Sequence, residues 1–243
     1  MKVTRLVSIA AIAGLMAVCG PLVSKATART KGDAGTTKRL NAAAGVLKEI
    51  MAAPDKGIPQ DLLDKAACAV IVPNLKKGAF IVGAKYGRGF LICRNKDGHG
   101  WSAPGGVIVE GGSVGLQIGG SETDVVMLLM NEGAIEKLLS SKFTIGGDAS
   151  VAAGPVGRTS SAATDVQLHA QLLTYSRTRG LFAGVSLEGA TLRTDEDANK
   201  DMYSKEMSNQ DVVLGNVKSP RTADKLIAQL NRSSSTRTGT SGL

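Results

Sequence analysis

The chain has 243 residues, a formal net charge of +8 and a pI of about 9.5. That length can form one sizeable core or two small ones, and the charge favours anionic partners: a membrane surface, a nucleic acid or an acidic protein. Aromatic residues make up only 3% of the chain, which argues against nucleic-acid binding, because bases stack on aromatic side chains.

Residues 1–28 have the pattern of a secretory signal peptide. Lys2 and Arg5 form a basic start, residues 6–18 are apolar, and residues 26–28 read Ala-Thr-Ala, a small-x-small cleavage site. The apolar run is shorter than the roughly 20 residues that span a bilayer. The pattern predicts export with cleavage after Ala28, which lowers the net charge from +8 to +5. Lipidation of Cys19 is the alternative, and it also leads to export to the periplasm or outer membrane.

Two further cysteines, Cys68 and Cys93, remain after cleavage. An oxidising compartment would allow them to form a disulfide. Each also lies in an apolar segment that could hold a buried thiol. The sequence leaves both interpretations open, because it does not show whether the two segments adjoin.

The periodicity of residues 36–53 predicts an amphipathic helix that ends before Pro54. Its apolar stripe consists of Leu40, Ala43, Ala44, Leu47, Ile50 and Met51. Lys38, Arg39 and Lys48 lie off that stripe. Such a helix either lies on an anionic membrane or packs its stripe against the domain core, as most amphipathic helices do.

The next segments predict a short helix and several strands. The helix covers 59–65, and the strands cover 67–72, 79–84, 87–94 and 99–103. Turns are expected at 73–78 and at 95–98, where Gly98 would take an unusual φ.

Basic residues dominate the stretch from Pro73 to Lys96, which contains no acidic residue. They are Lys76, Lys77, Lys85, Arg88, Arg94 and Lys96. The cluster is either an ordinary solvated rim or a patch that binds anions.

The second half of the chain continues the mixture of strands and helices. Residues 105–122 are rich in glycine but alternate as a strand, and 125–130 form an apolar strand. Asn131 is expected to cap a helix that ends near residue 141. Alternation over 166–172 and 181–187 predicts a hairpin with its turn at 177–180.

The C-terminal part has a weaker pattern. Asp195 is a plausible cap for a helix or turn over 195–205, and residues 211–214 suggest a short strand. Ser219-Pro220 is a good helix start. Residues 232–243 are rich in Ser, Thr and Gly and are expected to be disordered. The predicted organisation is a signal peptide (1–28), one domain (29–231) and a tail (232–243).

No motif predicts a metal, a cofactor or an enzyme. Residues 111–115 read Gly-Gly-Ser-Val-Gly, the pattern of a hydrolase nucleophile elbow, which requires a strand, a sharp turn and a helix. Here the alternation continues past Gly115 as strand. The chain has only two histidines, His99 and His169. A serine hydrolase using Ser113 is therefore the weakest hypothesis.

Several segments, taken in their order and spacing, resemble the SYLF domain family. They lie at 67–73 (ACAVIVP), 77–83 (KGAFIVG), 86–89 (YGRG), 115–119 (GLQIG), 130–132 (MNE), 142–158 (KFTIGGDASVAAGPVGR), 175–176 (YS) and 180–189 (GLFAGVSLEG). The resemblance covers roughly residues 36–231. It implies a non-enzymatic domain that binds anionic lipids, which are phosphoinositides in eukaryotic members.

The resemblance also implies where the lipid binds. A basic amphipathic segment at the start of the domain maps onto Lys38, Arg39 and Lys48, with Leu40, Leu47 and Ile50 as the inserting face. The basic patch would add Lys76, Lys77, Lys85 and Arg88. An envelope interaction protein that binds an acidic envelope or host protein is the alternative function.

The expected fold is α+β. Seven or so strand-like segments with short turns predict a mainly antiparallel, strongly twisted sheet that could close as a barrel, with helices packed against it.

Overall fold

The computed structural model describes residues 31–53, 57–79, 82–114, 119–140, 142–157, 169–178, 181–182 and 187–238. The expected signal peptide, including Cys19, lies outside the described residues. So do 166–168 and 183–186, which belong to the predicted hairpin.

Six α-helices are described: α1 (Lys31–Met51), α2 (Gln60–Lys65), α3 (Glu132–Leu139), α4 (Glu196–Tyr203), α5 (Asn209–Leu214) and α6 (Asp224–Ser233). A 3₁₀ turn, Arg221–Ala223, leads into α6. Among the described residues, no helix is long and apolar enough to cross a bilayer.

In the described part of the chain, nine strands form one sheet: β1 (Cys68–Ala79), β2 (Val82–Cys93), β3 (Gly105–Val114), β4 (Gly119–Leu129), β5 (Phe143–Thr144), β6 (Val151–Ala153), β7 (Leu172–Thr178), β8 (Leu181–Phe182) and β9 (Thr191–Thr194). Their order is β5-β9-β3-β2-β1-β4-β7-β6, with β8 beside β7. All pairs are antiparallel except β6–β7. The α+β class with a mainly antiparallel sheet is confirmed.

The sheet is curled rather than flat. Its outermost strands, β5 and β6, are joined by residues 145–150 alone, and Ile145 forms a β-bridge with Ala149. Such a short connection brings the two edges close together, because six residues reach only about 20 Å. The described strands therefore form a half-barrel with a concave and a convex face.

Alternation along the strands sends side chains to two separate cores. On β1, Val70 and Val72 join the concave core, which α3 and α5 also contact, while Ala69 and Ile71 join the convex core. The convex core is covered by α1, α2 and α6. The central strands are thus covered on both faces, which explains the continuously apolar run at 67–72.

The apolar stripe of α1 belongs to the convex core. Leu40, Leu47 and Ile50 are each at most 1% exposed. Burial of this kind stabilises the fold by about 2 kcal/mol for each large aliphatic side chain. The expected role of these three residues as a membrane-inserting face is corrected here, because in this fold they pack against the sheet.

The predicted turn at 73–78 is a β-bulge inside β1. The register shifts by one residue between Ile71 and Lys76 against β2, and between Val72 and Leu75 against β4. Asn74 takes a left-handed φ of +52°, and a bulge accommodates Pro73, which has no N–H to donate. The separate strand predicted at 79–84 was therefore wrong, since this stretch includes the end of β1 and the start of β2.

Three other predictions needed correction. The hairpin strand β7 covers 172–178, so Arg177 and Thr178 are in the strand rather than the turn. Residues 211–214, suggested as a strand, are in helix α5. Ser219 makes no capping hydrogen bond for the helical segment that follows.

The chain after residue 232 is ordered as far as Thr238. The backbone oxygen of Ser234 accepts hydrogen bonds from Arg94 Nη1 at 2.9 Å and from Trp101 Nε1 at 2.8 Å. Arg94 also lies over the Trp101 ring, 3.9 Å from its centroid. The expectation of disorder is wrong for 232–238, and residues 239–243 are not described.

Cys68 and Cys93 form a disulfide. They are directly opposed on β1 and β2, which places them on the same face of the sheet. Of the two interpretations left open by the sequence, the structure selects the disulfide.

Candidate functional site

A basic pocket lies between the first half of α1 and the β1–β2 pair. Its volume is about 390 Å³, and four cationic side chains line it: Lys38, Arg39, Lys76 and Arg88. The remaining lining includes Tyr86 and the bulge residues Pro73 and Asn74. No carboxylate lines this pocket among the described residues. We call it the basic pocket.

The bulge positions Lys76 at the pocket. If β1 were a regular strand without the bulge, Lys76 would share a face with Val70 and Val72, because alternate residues of a strand share a face. The bulge resets the alternation, so that Leu75 is buried in the concave core and Lys76 is exposed. Asn74 is held by Asp124, whose Oδ1 accepts a hydrogen bond from the Asn74 backbone N–H at 3.0 Å.

A buried carboxylate organises the two arginines. Asp195 is 1% exposed, caps α4 by accepting a hydrogen bond from the Ala198 N–H at 3.1 Å, and accepts two hydrogen bonds from Arg88. Arg39 Nη1 lies 3.7 Å from Asp195 Oδ2. The hydrogen bond to Asp195 raises the pKa of Arg88. Burial, and then the charge of Arg88, lower the pKa of Arg39.

The exposed lysines are the charges of the pocket that an anion can reach. Arg39 and Arg88 share the buried Asp195, and the charges of Asp201 and Asp197 also act on Arg39 and Arg88, respectively. Lys76 lies 4.0 Å from the exposed Glu122, and an exposed pair of this kind contributes little. Lys38 and Lys76, both exposed, are therefore the two positive charges available to an anion in the pocket.

Comparison with known proteins places this architecture in a family. The Ysc84 family profile, described as Las17-binding protein actin regulator, matches residues 110–233. The chain belongs to the Ysc84 (SYLF) family. The resemblance to the SYLF domain seen in the sequence is thereby confirmed.

The relatives of this Ysc84 family member are longer proteins. SH3 domain-containing protein PJ696.02 of Schizosaccharomyces pombe is 39% identical over 177 residues, covering 72% of this chain and 41% of that protein. SH3 domain-containing YSC84-like protein 1 of Homo sapiens is 36% identical over 174 residues, covering 71% and 50% respectively. Protein YSC84 of Saccharomyces cerevisiae is 35% identical over 176 residues, covering 71% and 37%. The chain spans about half the length of these relatives or less.

The SYLF fold divides the ten predicted lipid-binding residues among four places. Lys38, Arg39, Lys76 and Arg88 meet at the basic pocket, and Leu40, Leu47 and Ile50 lie in the convex core. Lys48 lies in a separate groove between α1 and α6, together with Lys225 and Arg232. Lys77 and Lys85 lie on the concave face.

Lys77 and Lys85 are cross-strand neighbours on β1 and β2. Lys85 is only 7% exposed. Burial lowers the pKa of both amines, and the charge of Lys85 lowers that of Lys77 further. Lys77 follows Lys76 and Lys85 precedes Tyr86, and both Lys76 and Tyr86 line the basic pocket. Because successive residues of a strand point to opposite faces, Lys77 and Lys85 face away from the pocket.

Two residues of the site were not predicted as binding residues. Asp195 was expected only as a helix cap, and its pairing with arginines 107 and 156 positions away along the chain has no local signal. Tyr86 occurs in the YGRG segment, but only the fold shows that it is 47% exposed.

The Ser113 motif does not form a nucleophile elbow. Ser113 lies within β3, paired with Gly83 near the β1–β2 hairpin. His99 and His169 lie at the opposite end of the sheet, beyond Cys93 and before Leu172. Ten strand residues separate the two ends, which is roughly 30 Å. Both His99 and His169 are therefore too far from Ser113 to act as its general base.

Proposed function

We propose that this Ysc84 family member is an exported, non-enzymatic protein that binds anionic phospholipid headgroups at a membrane surface. The observation that carries the proposal is the basic pocket, with four cations around an opening that no described carboxylate lines. Each lysine or arginine near an anionic bilayer contributes about 1 kcal/mol of attraction. The pocket can therefore hold an anionic headgroup by charge attraction, and no chemical step is required.

Vesicle flotation tests the proposal. The protein should float with vesicles of phosphatidylcholine that contain phosphatidylglycerol, and it should be released as the salt concentration rises, because salt screens exposed charges. Equal flotation with pure phosphatidylcholine at every salt concentration would contradict the proposal. Phosphoinositide vesicles of matched total charge then test whether the headgroup preference implied by the SYLF resemblance holds.

Charge reversal at the pocket should weaken this binding. Lys38→Glu combined with Lys76→Glu removes two attractive charges and adds two repulsive ones, so we expect at least a tenfold loss of affinity for anionic vesicles. Both side chains are exposed, so the fold should be retained. The matched control is Lys96→Glu with Lys218→Glu, which makes the same change at exposed sites away from the pocket. If both double variants lose affinity equally, binding depends on net charge and not on the pocket.

Export is supported by the signal-peptide pattern and by the disulfide, since disulfides persist mainly in oxidising compartments. We expect the mature protein to begin at Arg29. Mass spectrometry of protein recovered from the cell envelope measures this end directly. A mature chain that begins at an acylated Cys19 would show that the protein is exported as a lipoprotein and is not cleaved after Ala28. A chain that still begins at Met1 would contradict export.

A protein partner is the second candidate. The matching family profile is described as Las17-binding, and the exposed lysines at the pocket, Lys38 and Lys76, would also attract an acidic protein. A pull-down from detergent-treated, lipid-free extract that is lost in the Lys38→Glu, Lys76→Glu variant would favour this candidate.

A further inference from the structure

A groove runs between helices α1 and α6, where the outer faces of the two helices meet. It is lined by residues between 41 and 48 of α1 and between 224 and 232 of α6, and its volume is about 490 Å³. Among the described residues, no third element lines it. We call it the α1–α6 groove. It shares no residue with the basic pocket, which lies beside the first half of α1.

Three residues of the α1–α6 groove have no side chain beyond Cβ: Ala44, Gly45 and Ala228. A Cβ atom built on Gly45 meets nothing within 4 Å. Packing within the chain therefore does not require glycine at this position, although glycine is among the least favourable residues in a helix interior. Small residues allow another helix to approach closely, since the distance between packed helix axes depends on the side chains at the contact.

A buried amide adds an acceptor to the groove. Gln229 is 9% exposed and lines the groove. Its Nε2 donates a hydrogen bond to Ser233 Oγ at 3.2 Å, whereas its Oε1 accepts none from the described residues. Polar groups this buried are normally hydrogen-bonded, so Oε1 is available to a donor on a partner.

The charges of the groove favour an acidic partner. Its three cations are exposed and have no ion-pair partner in the described part of the chain: Lys48, Lys225 and Arg232. Asp224 is the only carboxylate in the described lining, and Glu49, beside Lys48, is paired with Arg177 of β7. Over residues 31–51 and 221–233 as a whole, basic residues outnumber acidic ones by seven to three.

The carboxylates of the neighbouring helices lie elsewhere. The acidic helix α4 packs on the other side of α1, where Asp195 pairs with Arg39 and Asp201 accepts a hydrogen bond from Thr36 at 2.8 Å. Arg39 precedes Lys48 by nine residues, which is two and a half helical turns, so the two side chains point to opposite sides of α1. Both carboxylates of α2, near the end of α6, are bonded within the chain.

We propose that the α1–α6 groove docks an acidic amphipathic helix of a protein partner. That helix packs small apolar side chains on Ala44, Gly45 and Ala228, and the carboxylates that flank them pair with the three cations. A protein helix is favoured over a lipid headgroup because these small residues offer a headgroup no side-chain donor, and because the groove follows two turns of α1, about 10 Å. The inference does not depend on the proposed function, since the two sites share no residue.

A synthetic peptide tests the groove directly. The probe is a fluorescein-labelled helical peptide with alanine and leucine on one face and glutamate on both sides of that face. Fluorescence anisotropy should show that the protein binds this peptide and not a version with lysine in place of glutamate. Lys48→Glu with Arg232→Glu should weaken binding about tenfold, because two attractive charges become repulsive. Lys96→Glu with Lys142→Glu is the matched control, at exposed sites outside both helices.

Gly45→Leu separates binding from folding. Leucine favours a helix more than glycine does, and the position is open, so the variant should have a higher urea midpoint than the wild type. It should nevertheless bind the glutamate peptide about tenfold more weakly, because the larger side chain occupies the groove. The matched control is Gly133→Leu in α3, where a built Cβ meets only Asn131 Oδ1, at 3.9 Å.

Three results would overturn the inference. The first is a wild-type protein that does not bind the glutamate peptide, and the second is equal binding by the wild type and Gly45→Leu. The third is a loss of binding in Lys38→Glu with Lys76→Glu that equals the loss in the groove variant, since the peptide would then occupy the basic pocket. Vesicle flotation distinguishes a lipid occupant. If Gly45→Leu no longer floats with anionic vesicles, the groove binds lipid and the inference is wrong, whereas normal flotation supports it and leaves the proposed function standing.

Discussion

Reduction of the Cys68–Cys93 disulfide is expected to lower the free energy of unfolding by about 3 kcal/mol. The bond closes a loop between residues 25 positions apart, and chain-entropy arguments predict a loss of this size for such a loop. Both cysteines lie in the concave core and are at most 2% exposed. The register of β1 and β2 should persist after reduction, because the strands keep their other pairs.

Urea unfolding followed with and without a reductant measures this loss. The control is Cys68→Ala with Cys93→Ala, whose midpoint should not respond to the reductant. An unchanged wild-type midpoint, after thiol titration has shown complete reduction, would contradict the prediction.

Asp195→Ala should cost roughly 3 kcal/mol of stability. The substitution removes the cap of α4, which is worth about 1 kcal/mol. It also leaves Arg88 and Arg39, partly buried at 29% and 18% side-chain exposure, without their shared carboxylate. An uncompensated buried charge is the larger cost. The urea midpoint of the variant measures the total.

Matched variants separate these two costs. Asp195→Asn keeps an acceptor for the Ala198 N–H but loses the charge, so it should be intermediate. Glu110→Ala breaks only the exposed pair with Arg193 and should cost less than about 1 kcal/mol. Adding Arg88→Met to Asp195→Ala should recover part of the loss, because it removes one unpaired charge. No recovery in this double variant would contradict the electrostatic explanation.

Elements defined by contacts between near neighbours were predictable from the sequence. Asn131 caps α3 by accepting a hydrogen bond from the Ala134 N–H at 2.9 Å, and Gly98 takes the expected positive φ of +75° in its turn. Each feature depends on residues three or fewer positions apart. The α+β class also followed from local alternation.

Elements defined by distant contacts were not predictable. The bulge at Pro73-Asn74 resembles a turn until β2 and β4 are seen on either side of it. Residues 232–238 have the composition of a disordered tail, but Arg94 and Trp101 hold Ser234 in place. Composition reports the average tendency of a segment, whereas these contacts come from residues more than 130 positions away.

The candidate site depends both on features that the sequence shows locally and on contacts between distant residues. The positive charges of Lys38, Arg39, Lys76 and Arg88 made them candidate binding residues in the sequence, but only the fold brings them together in one pocket. Periodicity marked Leu40, Leu47 and Ile50 as one stripe without showing what covers it. The family resemblance favoured a membrane as the partner of this stripe, whereas in the structure the stripe packs against the sheet.

The bulge in β1 determines which of two consecutive lysines meets the outside. A strand that kept Asn74 but lost the bulge would exchange the faces of all the residues after it, so that Lys76 would point into the half-barrel and Leu75 would point to solvent. Removal of Asn74 would instead restore plain alternation and leave both residues on their present faces. A further insertion at this position should therefore be tolerated far less than a one-residue deletion.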